Sequence, residues 1–550
     1  MTEPIVRTEP LGGSPLARAA IEGRHTDWYV PRPESADAWR ARAEHVRTSF
    51  KDRGWLDALA PAFAATGAAQ DRLARVANGN GIVVTTGQQP GLFGGPIYTW
   101  SKALSALALA DAIEAASGVP AAPVFWAATD DADFAEASWT AVAMPGGAQK
   151  LALPPGAPLG RTMADMPLGD ASEALATLAR ACGATIDERA LAAAHAAYRA
   201  DATVGSAYVA LLRELFEPLG IAVLDASHAA VTTAARPFLV RALERANGIA
   251  DALHARDEAV VSAGYTTQVA EVEGLSLVFE RAGAGAEKRR IPRAEAAAAA
   301  AAASGILSPN VLLRPVVERA ILPTATYVAG PGEIAYFAQV SAVARALDLE
   351  APMVVPRWSV TIIEPQTTRI LNRLGITETE LADPHRAEGR LASAAIPSAV
   401  ARGLDELRAD VDRHSAELAE ATKAGNVPLP PEVIEGARRS MQHRLNRLER
   451  RVVAAVKRRE TDLMSDIGTA RGALYPLGTR QERALNIIPI LTRHGSAIIA
   501  RMLDAARVHA RTIVEPTPRH DARAATTSRS ALGDSGMSAH AVDRGRTADA

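Results

Sequence analysis

The chain has 550 residues, of which 48% are apolar and 22% are charged, and its formal net charge is −2. This length predicts several units, because a single hydrophobic core stops growing at about 250–300 residues. The near-neutral charge gives no general attraction to nucleic acid or to an anionic membrane surface. Cys182 is the only cysteine, so no internal disulfide can form, which suits the cytoplasm. We recognise no secretory signal and no apolar stretch long enough to span a membrane.

An apolar run at residues 81–86, bounded by glycines, predicts a buried parallel strand. A glycine-rich loop follows at 87–95, and Pro96 suits the first turn of a helix that ends at Gly118. Such a junction can hold a charged small molecule, because free backbone N–H groups and the helix dipole point at the loop. The loop matches neither the Walker A pattern nor Gly-x-Gly-x-x-Gly, so an ordinary turn is the alternative.

The residue types around this loop favour a binding site. Lys102 falls in the second turn of the helix, from where its side chain can reach back to the loop and attract an anion. Gln88 and Gln89 offer uncharged amide donors and acceptors, which suit hydroxyls or a carboxylate. Other candidate ligand contacts in this segment are Thr86, Gly87, Gly91, Phe93, Gly95 and Tyr98.

A second apolar run at 123–128 completes a βαβ unit and leads into three carboxylates, Asp130, Asp131 and Asp133. Doubly wound sheets bind ligands just beyond the carboxyl ends of their strands. These carboxylates suit an amine, sugar hydroxyls or Mg²⁺, and their spacing does not choose among them. We recognise no metal site in the sequence, and a solvated strand end is the alternative reading of this cluster.

Strand, glycine loop and helix recur at residues 327–336, where Gly330 and Gly332 permit close backbone approach and Glu333 falls near the helix start. Two such loops in one sheet are expected to face each other across the point where the strand order reverses. The candidate ligand contacts in this half of the chain are Asn310, Arg314, Gly330, Gly332, Glu333, Tyr336 and Gln339.

The strand candidates at 221–224, 327–329 and 353–355 are widely separated, which predicts an α/β core interrupted by insertions. The second insertion carries a hairpin-like stretch at 266–280. The expected organisation is a core in three parts (1–145, 202–245 and 308–395), two insertions (146–201 and 246–307), a helical hairpin (396–470), a C-terminal helical segment (471–514) and a disordered tail (515–550).

Apolar residues at a/d-like spacing on both sides of a turn at 425–431 predict an antiparallel coiled coil. They are Leu404, Leu407, Val411 and Leu418 before the turn, and Ala437, Met441, Leu445, Leu448, Val452 and Val456 after it. Residues 396–424 carry four basic and six acidic side chains, whereas 430–460 carry nine basic and four acidic. The basic helix lacks interleaved aromatic residues, so ion pairing across the coiled coil explains these charges better than nucleic-acid binding does.

Taken together, these motifs resemble the BshC family, the cysteine ligases of bacillithiol biosynthesis. The resemblance spans about residues 20–510, and its blocks are 86–102, 124–126 with the acidic cluster, 308–315, 330–336, 355–357 and 481–483 with Asn486. The family often has Glu-Asp-His-Asp where this chain has Asp-Asp-Ala-Asp at 130–133, so a histidine acid or base cannot be carried over. The resemblance implies a Rossmann-like parallel-sheet core with connecting-peptide insertions and an α-helical coiled-coil arm that forms a homodimer.

The resemblance further implies a cytoplasmic ligase that joins the carboxyl group of cysteine to the amine of glucosaminyl malate. Lys102, Gln88 and Gln89 would form the catalytic set, with the three aspartates near the amine or the sugar. Arg357 or Arg314 would hold the malate carboxylates bidentately.

The cofactor implied is ATP or ADP, because a free carboxylate normally needs activation before it forms an amide. This is an analogy of fold, since the chain has neither a Lys-Met-Ser-Lys-Ser loop nor His-x-Gly-His. A non-catalytic nucleotide- or sugar-binding scaffold, whose coiled coil recruits a partner enzyme, is the alternative. A tRNA-handling relative of the class I synthetases is a third reading.

Overall fold

The structure is a computed structural model that describes residues 3–154, 160–302, 305–383 and 385–516. The predicted disordered tail lies, except for its first two residues, outside the described residues. The strands are β1 (Ile5–Thr8), β2 (Ile82–Gln88), β3 (Ala121–Ala127), β4 (Trp139–Met144), β5 (Gly147–Ala152), β6 (Ala222–Asp225), β7 (Leu275–Arg281), β8 (Arg289–Pro292), β9 (Ile306–Pro309), β10 (Thr324–Ala329), β11 (Val354–Pro356) and β12 (Val360–Ile363).

The helices of the first half are α1 (Pro15–Ile21), α2 (Ala36–Ser49), α3 (Trp55–Phe63), α4 (Gly67–Asn78), α5 (Ile97–Ser117), α6 (Phe134–Ala137), α7 (Ser172–Cys182), α8 (Arg189–Ala197), α9 (Val204–Phe216), α10 (Ala229–Glu244) and α11 (Ala246–Ser262). Those of the second half are α12 (Ala296–Ala301), α13 (Arg314–Ile321), α14 (Pro331–Ala346), α15 (Pro365–Leu374), α16 (Glu378–Ala382), α17 (Arg386–Ala394), α18 (Ser398–Ala424), α19 (Pro431–Arg459), α20 (Thr461–Leu474), α21 (Gln481–Ala484), α22 (Ile488–His494) and α23 (Ser496–Val514).

The core is a five-stranded parallel sheet with the strand order β11-β10-β2-β3-β6. Every strand predicted from an apolar run belongs to it, and the expected Rossmann-like α/β fold is confirmed. The chain adds β3 and β6 on one side of β2 and then returns to add β10 and β11 on the other side. The order therefore reverses between β2 and β10, and the carboxyl ends of all five strands share one edge.

Helix α5, which follows β2, is buried along most of its length. Strands β2 and β3 cover one side of it, and α2 and α23 cover the other. This double coverage explains why its sequence is apolar nearly all round instead of along one stripe. The helix ends at Gly118, whose φ of +71° is the left-handed conformation that suits glycine after a helix.

Small antiparallel sheets accompany the parallel core. Strands β4 and β5 form a hairpin, and β7 pairs with both β8 and β9. The hairpin-like stretch predicted at 266–280 is wrong in its position, because β7 begins only at Leu275 and its hairpin partner is β8. Strand β1 also pairs with β12, which the sequence analysis did not predict.

Helices α18 and α19 form the predicted antiparallel hairpin, called the arm below. Its seam buries Leu404, Ile434 and Val456. The arm carries cross-helix ion pairs between Arg438 and Asp412 and between Arg408 and Glu449. Other residues assigned to the a/d seam are instead exposed by 42–56%, namely Leu407, Leu418, Met441 and Leu448.

Helix α20 joins the arm to the first insertion through a close backbone contact. A Cβ at Gly468 would lie 2.3 Å from the Gly146 carbonyl oxygen, and one at Gly472 would lie 2.2 Å from the Gly147 carbonyl carbon. Only glycine allows the helix to approach the β4–β5 turn this closely. In the described parts of the chain, we find no helix with both the length and the apolar character needed to cross a bilayer.

Candidate active site

The loops after β2 and β10 open into one pocket at the carboxyl edge of the sheet, with a volume of about 870 Å³. Because β2 and β10 are neighbours on either side of the reversal in strand order, their loops meet there. The predicted site residues that line this pocket are Gly87, Gln88, Gln89, Tyr98, Lys102, Asp130, Asp131, Asn310, Arg314, Gly330, Gly332, Glu333, Tyr336 and Arg357.

Four predicted contacts of the segment from the end of β2 to the first helix do not line the pocket, namely Thr86, Gly91, Phe93 and Gly95. Thr86 is buried and donates a hydrogen bond to the Val328 carbonyl oxygen at 2.8 Å. Phe93 is buried against Tyr198, with ring centroids 4.7 Å apart. A Cβ at Gly91 would lie 2.7 Å from the Cα of Gly95, so the loop folds back on itself too tightly for a side chain there.

Two further predicted residues also lie outside the pocket lining. Asp133 is exposed and accepts a hydrogen bond from the Glu136 N–H at 3.0 Å, which caps the short helix α6. Gln339 is buried and exchanges hydrogen bonds with the backbone of Val269, at 2.8 and 3.3 Å. Gln339 therefore holds the segment before β7 in place and does not face the pocket.

Lys102 links the two loops. Its ammonium lies 2.7 Å from the Gly87 carbonyl oxygen, 2.9 Å from Gln88 Oε1 and 2.6 Å from Glu333 Oε2. The sequence predicted the reach back to the first loop but not the ion pair with the second. Burial lowers the pKa of the Lys102 ammonium, against the opposing effect of the Glu333 carboxylate.

Glu333 is the matching anion of this buried pair. It accepts hydrogen bonds from the Gly330 N–H and from the Tyr327 hydroxyl, both at 2.7 Å. Burial alone would raise the pKa of the carboxyl group, but Lys102 and these hydrogen bonds hold it below its usual value. The contact between Lys102 and Glu333 therefore fixes the geometry between the two loops.

Arg357 does not have the free guanidinium that the sequence analysis assigned to malate. Its two terminal nitrogens bind Glu482 at 2.7 and 2.8 Å, and both side chains are nearly fully buried. Arg314 is also engaged, since it donates to Glu318 at 2.7 Å and to the Tyr327 hydroxyl at 3.2 Å. The expectation of bidentate malate binding by Arg357 is corrected accordingly, because its fork already holds a carboxylate.

The acidic cluster is held by hydrogen bonds at the pocket wall. Gln89 donates to Asp131 Oδ2 at 2.5 Å, and Asp131 Oδ1 accepts from the backbone N–H groups of Ala132 and Asp133. Lys288 lies beside Asp130, donating to its carbonyl oxygen at 2.8 Å. Within the described residues, we find no group of three histidine, cysteine, aspartate or glutamate side chains arranged to hold a metal ion.

The pocket also contains four charged residues that we did not select from the sequence, Glu136, Lys288, Arg290 and Arg483. Glu136 follows the acidic cluster by one helical turn, which could have indicated it. Arg483 lies in a block that supported the family resemblance. Lys288 and Arg290 are on an insertion, and no spacing in the sequence connects them to the loops.

Glu136 is the unpaired carboxylate of the pocket. We find no hydrogen bond or ion pair to its carboxylate from the described part of the chain. Burial raises the pKa of Glu136, and the neighbouring carboxylates of Asp133 and Asp131 raise it further. A carboxylate with a raised pKa is a stronger base than an exposed glutamate, which suits it to accept a proton.

A parallel sheet with a pocket at its reversal point, joined to a helical hairpin, defines a Rossmann-like α/β protein with a coiled-coil domain. Two family models match the chain: the N-terminal Rossmann-like domain of bacillithiol biosynthesis BshC over residues 22–358, and the C-terminal coiled-coil domain of BshC over residues 360–513. The chain belongs to the BshC family of bacillithiol biosynthesis, which confirms the resemblance drawn from its motifs.

Several curated relatives carry the name "putative cysteine ligase BshC". The protein of Solibacter usitatus (strain Ellin6076) is 31% identical over 505 residues, which cover 87% of this chain and 92% of the relative. That of Salinibacter ruber is 28% identical over 467 residues, covering 78% and 81%. That of Geobacillus kaustophilus is 29% identical over 480 residues, covering 82% and 86%. These names support a ligase in thiol biosynthesis.

Proposed function

We propose that this chain is a cytoplasmic ligase that forms an amide bond between the carboxyl group of L-cysteine and the amine of glucosaminyl malate, giving bacillithiol. The observation that carries this proposal is the pocket in which both glycine loops meet across the Lys102–Glu333 ion pair. Its volume of about 870 Å³ lies within the usual range for small-molecule sites, about 300–1,000 Å³. The membership of the BshC family supports a ligase reaction.

The contacts of Lys102 suggest how it would serve this reaction. An ammonium has three hydrogens, and three oxygens already surround it. We therefore expect Lys102 to stabilise an anionic acyl group through its charge, and to position Gln88 and Glu333. Gln88 and Gln89 would contact the substrate from the first loop, with Asp130 and Asp131 near the sugar or the amine.

The amine of glucosaminyl malate must lose a proton when it attacks the activated carboxyl carbon. We assign the acceptor of this proton to Glu136, the carboxylate that has no partner among the described residues. The N–C bond forms, the proton passes to the Glu136 carboxylate, and the activating group leaves with its bonding electrons. Asp133 lies outside the pocket and acts on this step only through its charge.

We expect Glu136→Gln to lower kcat by about 100-fold or more, which is the usual size of a general-base contribution. In the unsubstituted protein, activity should fall on acidification at a higher pH than for an ordinary glutamate, because the raised pKa of Glu136 makes it take up a proton earlier. Asp133→Asn removes a neighbouring negative charge and should shift this acidic limb to lower pH. A pH profile of kcat checks both, and an unchanged profile in Glu136→Gln would contradict the assignment.

Purified protein with cysteine and glucosaminyl malate, assayed with and without ATP, tests the reaction itself. We propose that ATP activates the cysteine carboxylate, so bacillithiol, detected by mass spectrometry, should appear only with ATP. Formation of bacillithiol without ATP would contradict the proposal that ATP activates the cysteine carboxylate. Binding of glucosaminyl malate with no product under either condition would instead support the scaffold reading.

We also propose that the arm forms a homodimer. Apolar side chains are exposed on both of its helices, Leu407 and Leu418 on α18 and Met441 and Leu448 on α19, and we propose that they contact a second arm. We expect Leu407→Glu combined with Leu448→Glu to give a monomer in light scattering after gel filtration. Leu477→Glu is the matched control, because Leu477 is 49% exposed outside the arm; an unchanged dimer in the double variant would place the interface elsewhere.

A further inference from the structure

Alternate side chains of residues 288–290, where β8 begins, line the pocket. Lys288 and Arg290 line the pocket, whereas Arg289 between them does not. Arg289 is 53% exposed and pairs with Glu280 and Glu295. This alternation is what an extended segment produces, since successive side chains point to opposite faces.

Charge pairing distinguishes Arg290 from three other cations that line the pocket. Lys102, Arg314 and Arg357 each contact a carboxylate within 2.7 Å. Arg290 donates only through Nε, to the Ser276 carbonyl oxygen at 2.6 Å. In the described ranges, we find no protein partner for its two terminal nitrogens. Burial lowers the pKa of Arg290, and only the charge of Glu271 opposes this, so the guanidinium lacks close compensation.

Lys288 lies near Arg290 against the same aromatic ring. The Lys288 ammonium is 4.7 Å from the centroid of Phe279, and the Arg290 guanidinium carbon is 6.0 Å from it. Phe279 itself lines the pocket. The Lys288 ammonium donates to the Asp130 carbonyl oxygen and lies 3.7 Å from its carboxylate, which leaves part of its donor capacity free. Two cations thus share one wall of the pocket.

We propose that Arg290 and Lys288 form the subsite for the dicarboxylate end of the substrate, the malyl group. This rests on the proposed function for the identity of that substrate. The free terminal nitrogens of Arg290 match one carboxylate bidentately, and the Lys288 ammonium attracts the second. This subsite takes the role that the sequence analysis gave to Arg357 and Arg314, whose forks are occupied by Glu482 and Glu318.

Calorimetric titration of the purified full chain with malate, glucosaminyl malate and ADP tests the subsite. We expect Arg290→Gln to weaken binding of both malyl ligands by about tenfold or more, the size of a lost charged hydrogen-bond pair. Arg290→Lys keeps the charge but loses the fork, so its affinity should be intermediate. Arg289→Gln is the matched control and should bind as the unsubstituted chain does.

Several results would overturn the subsite. Equal affinities in Arg290→Gln and Arg289→Gln would do so, as would a failure of the unsubstituted chain to bind malate or glucosaminyl malate. A loss of ADP affinity with malate affinity intact would assign the two cations to a phosphate instead. Arg290-dependent malate binding in a chain that forms no bacillithiol would keep the subsite and refute the proposed ligase reaction. Thermal unfolding of each variant verifies that it is folded.

Discussion

Lys102→Met is expected to destabilise the protein by about 3–5 kcal/mol, because it leaves the buried Glu333 carboxylate without its counterion. The same variant should lose bacillithiol synthesis by about 100-fold or more, since the charge at the junction of the two loops is gone. Chemical denaturation measures the first effect, and the cysteine–glucosaminyl malate assay measures the second. A scaffold would lose stability only.

The double variant Lys102→Met with Glu333→Gln separates these effects. It removes both charges, so the cost of an unpaired buried carboxylate disappears and stability should recover in large part. Activity should not recover, because the positive charge is still absent. If the double variant regained both, the role of Lys102 would be confined to holding the loops together.

Arg357→Met should lower the free energy of unfolding by a similar amount, about 3–5 kcal/mol, because it leaves the buried Glu482 carboxylate without its counterion. Glu482 then loses its bidentate partner and, among the described residues, keeps the Ser359 hydroxyl and the Val360 N–H, at 2.9 and 3.1 Å. Thermal and chemical unfolding check this loss. Arg289→Met provides the comparison with an exposed ion pair, and its cost should be below about 1 kcal/mol.

The Arg357→Met variant also decides between two roles for Arg357. If Arg357 acts by pairing with Glu482, then Glu482→Gln should lower stability about as much as Arg357→Met does. Malate affinity should then also fall equally in Arg357→Met and Glu482→Gln. A loss of malate affinity in Arg357→Met at undiminished stability would restore the role first read from the sequence, that of a direct ligand contact.

The sheet could be predicted from the sequence because its strands are short apolar runs bounded by glycine or by polar residues. Burial on both faces makes each strand apolar throughout. Each strand can therefore be recognised by itself, even though the strands are far apart in the sequence. The strands of the insertions gave weaker signals, because each is partly exposed and mixes polar with apolar residues. The stretch at 266–280 was therefore placed too early.

The part of the site that could be predicted from the sequence is the part where a charged side chain lies close in sequence to a glycine loop. Lys102 and the two glycine loops meet as expected, because neighbouring parallel strands bring their carboxyl ends together. What could not be read from the sequence was which charges neutralise one another. The partner of Arg357 lies 125 residues away in the chain, and Arg290 enters the pocket from an insertion whose position only the fold determines.

Helix α23 lies on the back of α5, the helix that carries Lys102, and the Trp39 indole of α2 donates to the Ile513 carbonyl oxygen at 3.3 Å. On the ribosome, the residues around Lys102 emerge some 400 positions before those of α23. Helix α2 can already pack against α5, but the part of α5 that α23 covers stays exposed until some 400 further residues have been synthesised, and exposed apolar surface makes nascent chains prone to aggregation. The helix that carries Lys102 therefore gains its contact with α23 only after α23 itself has left the exit tunnel.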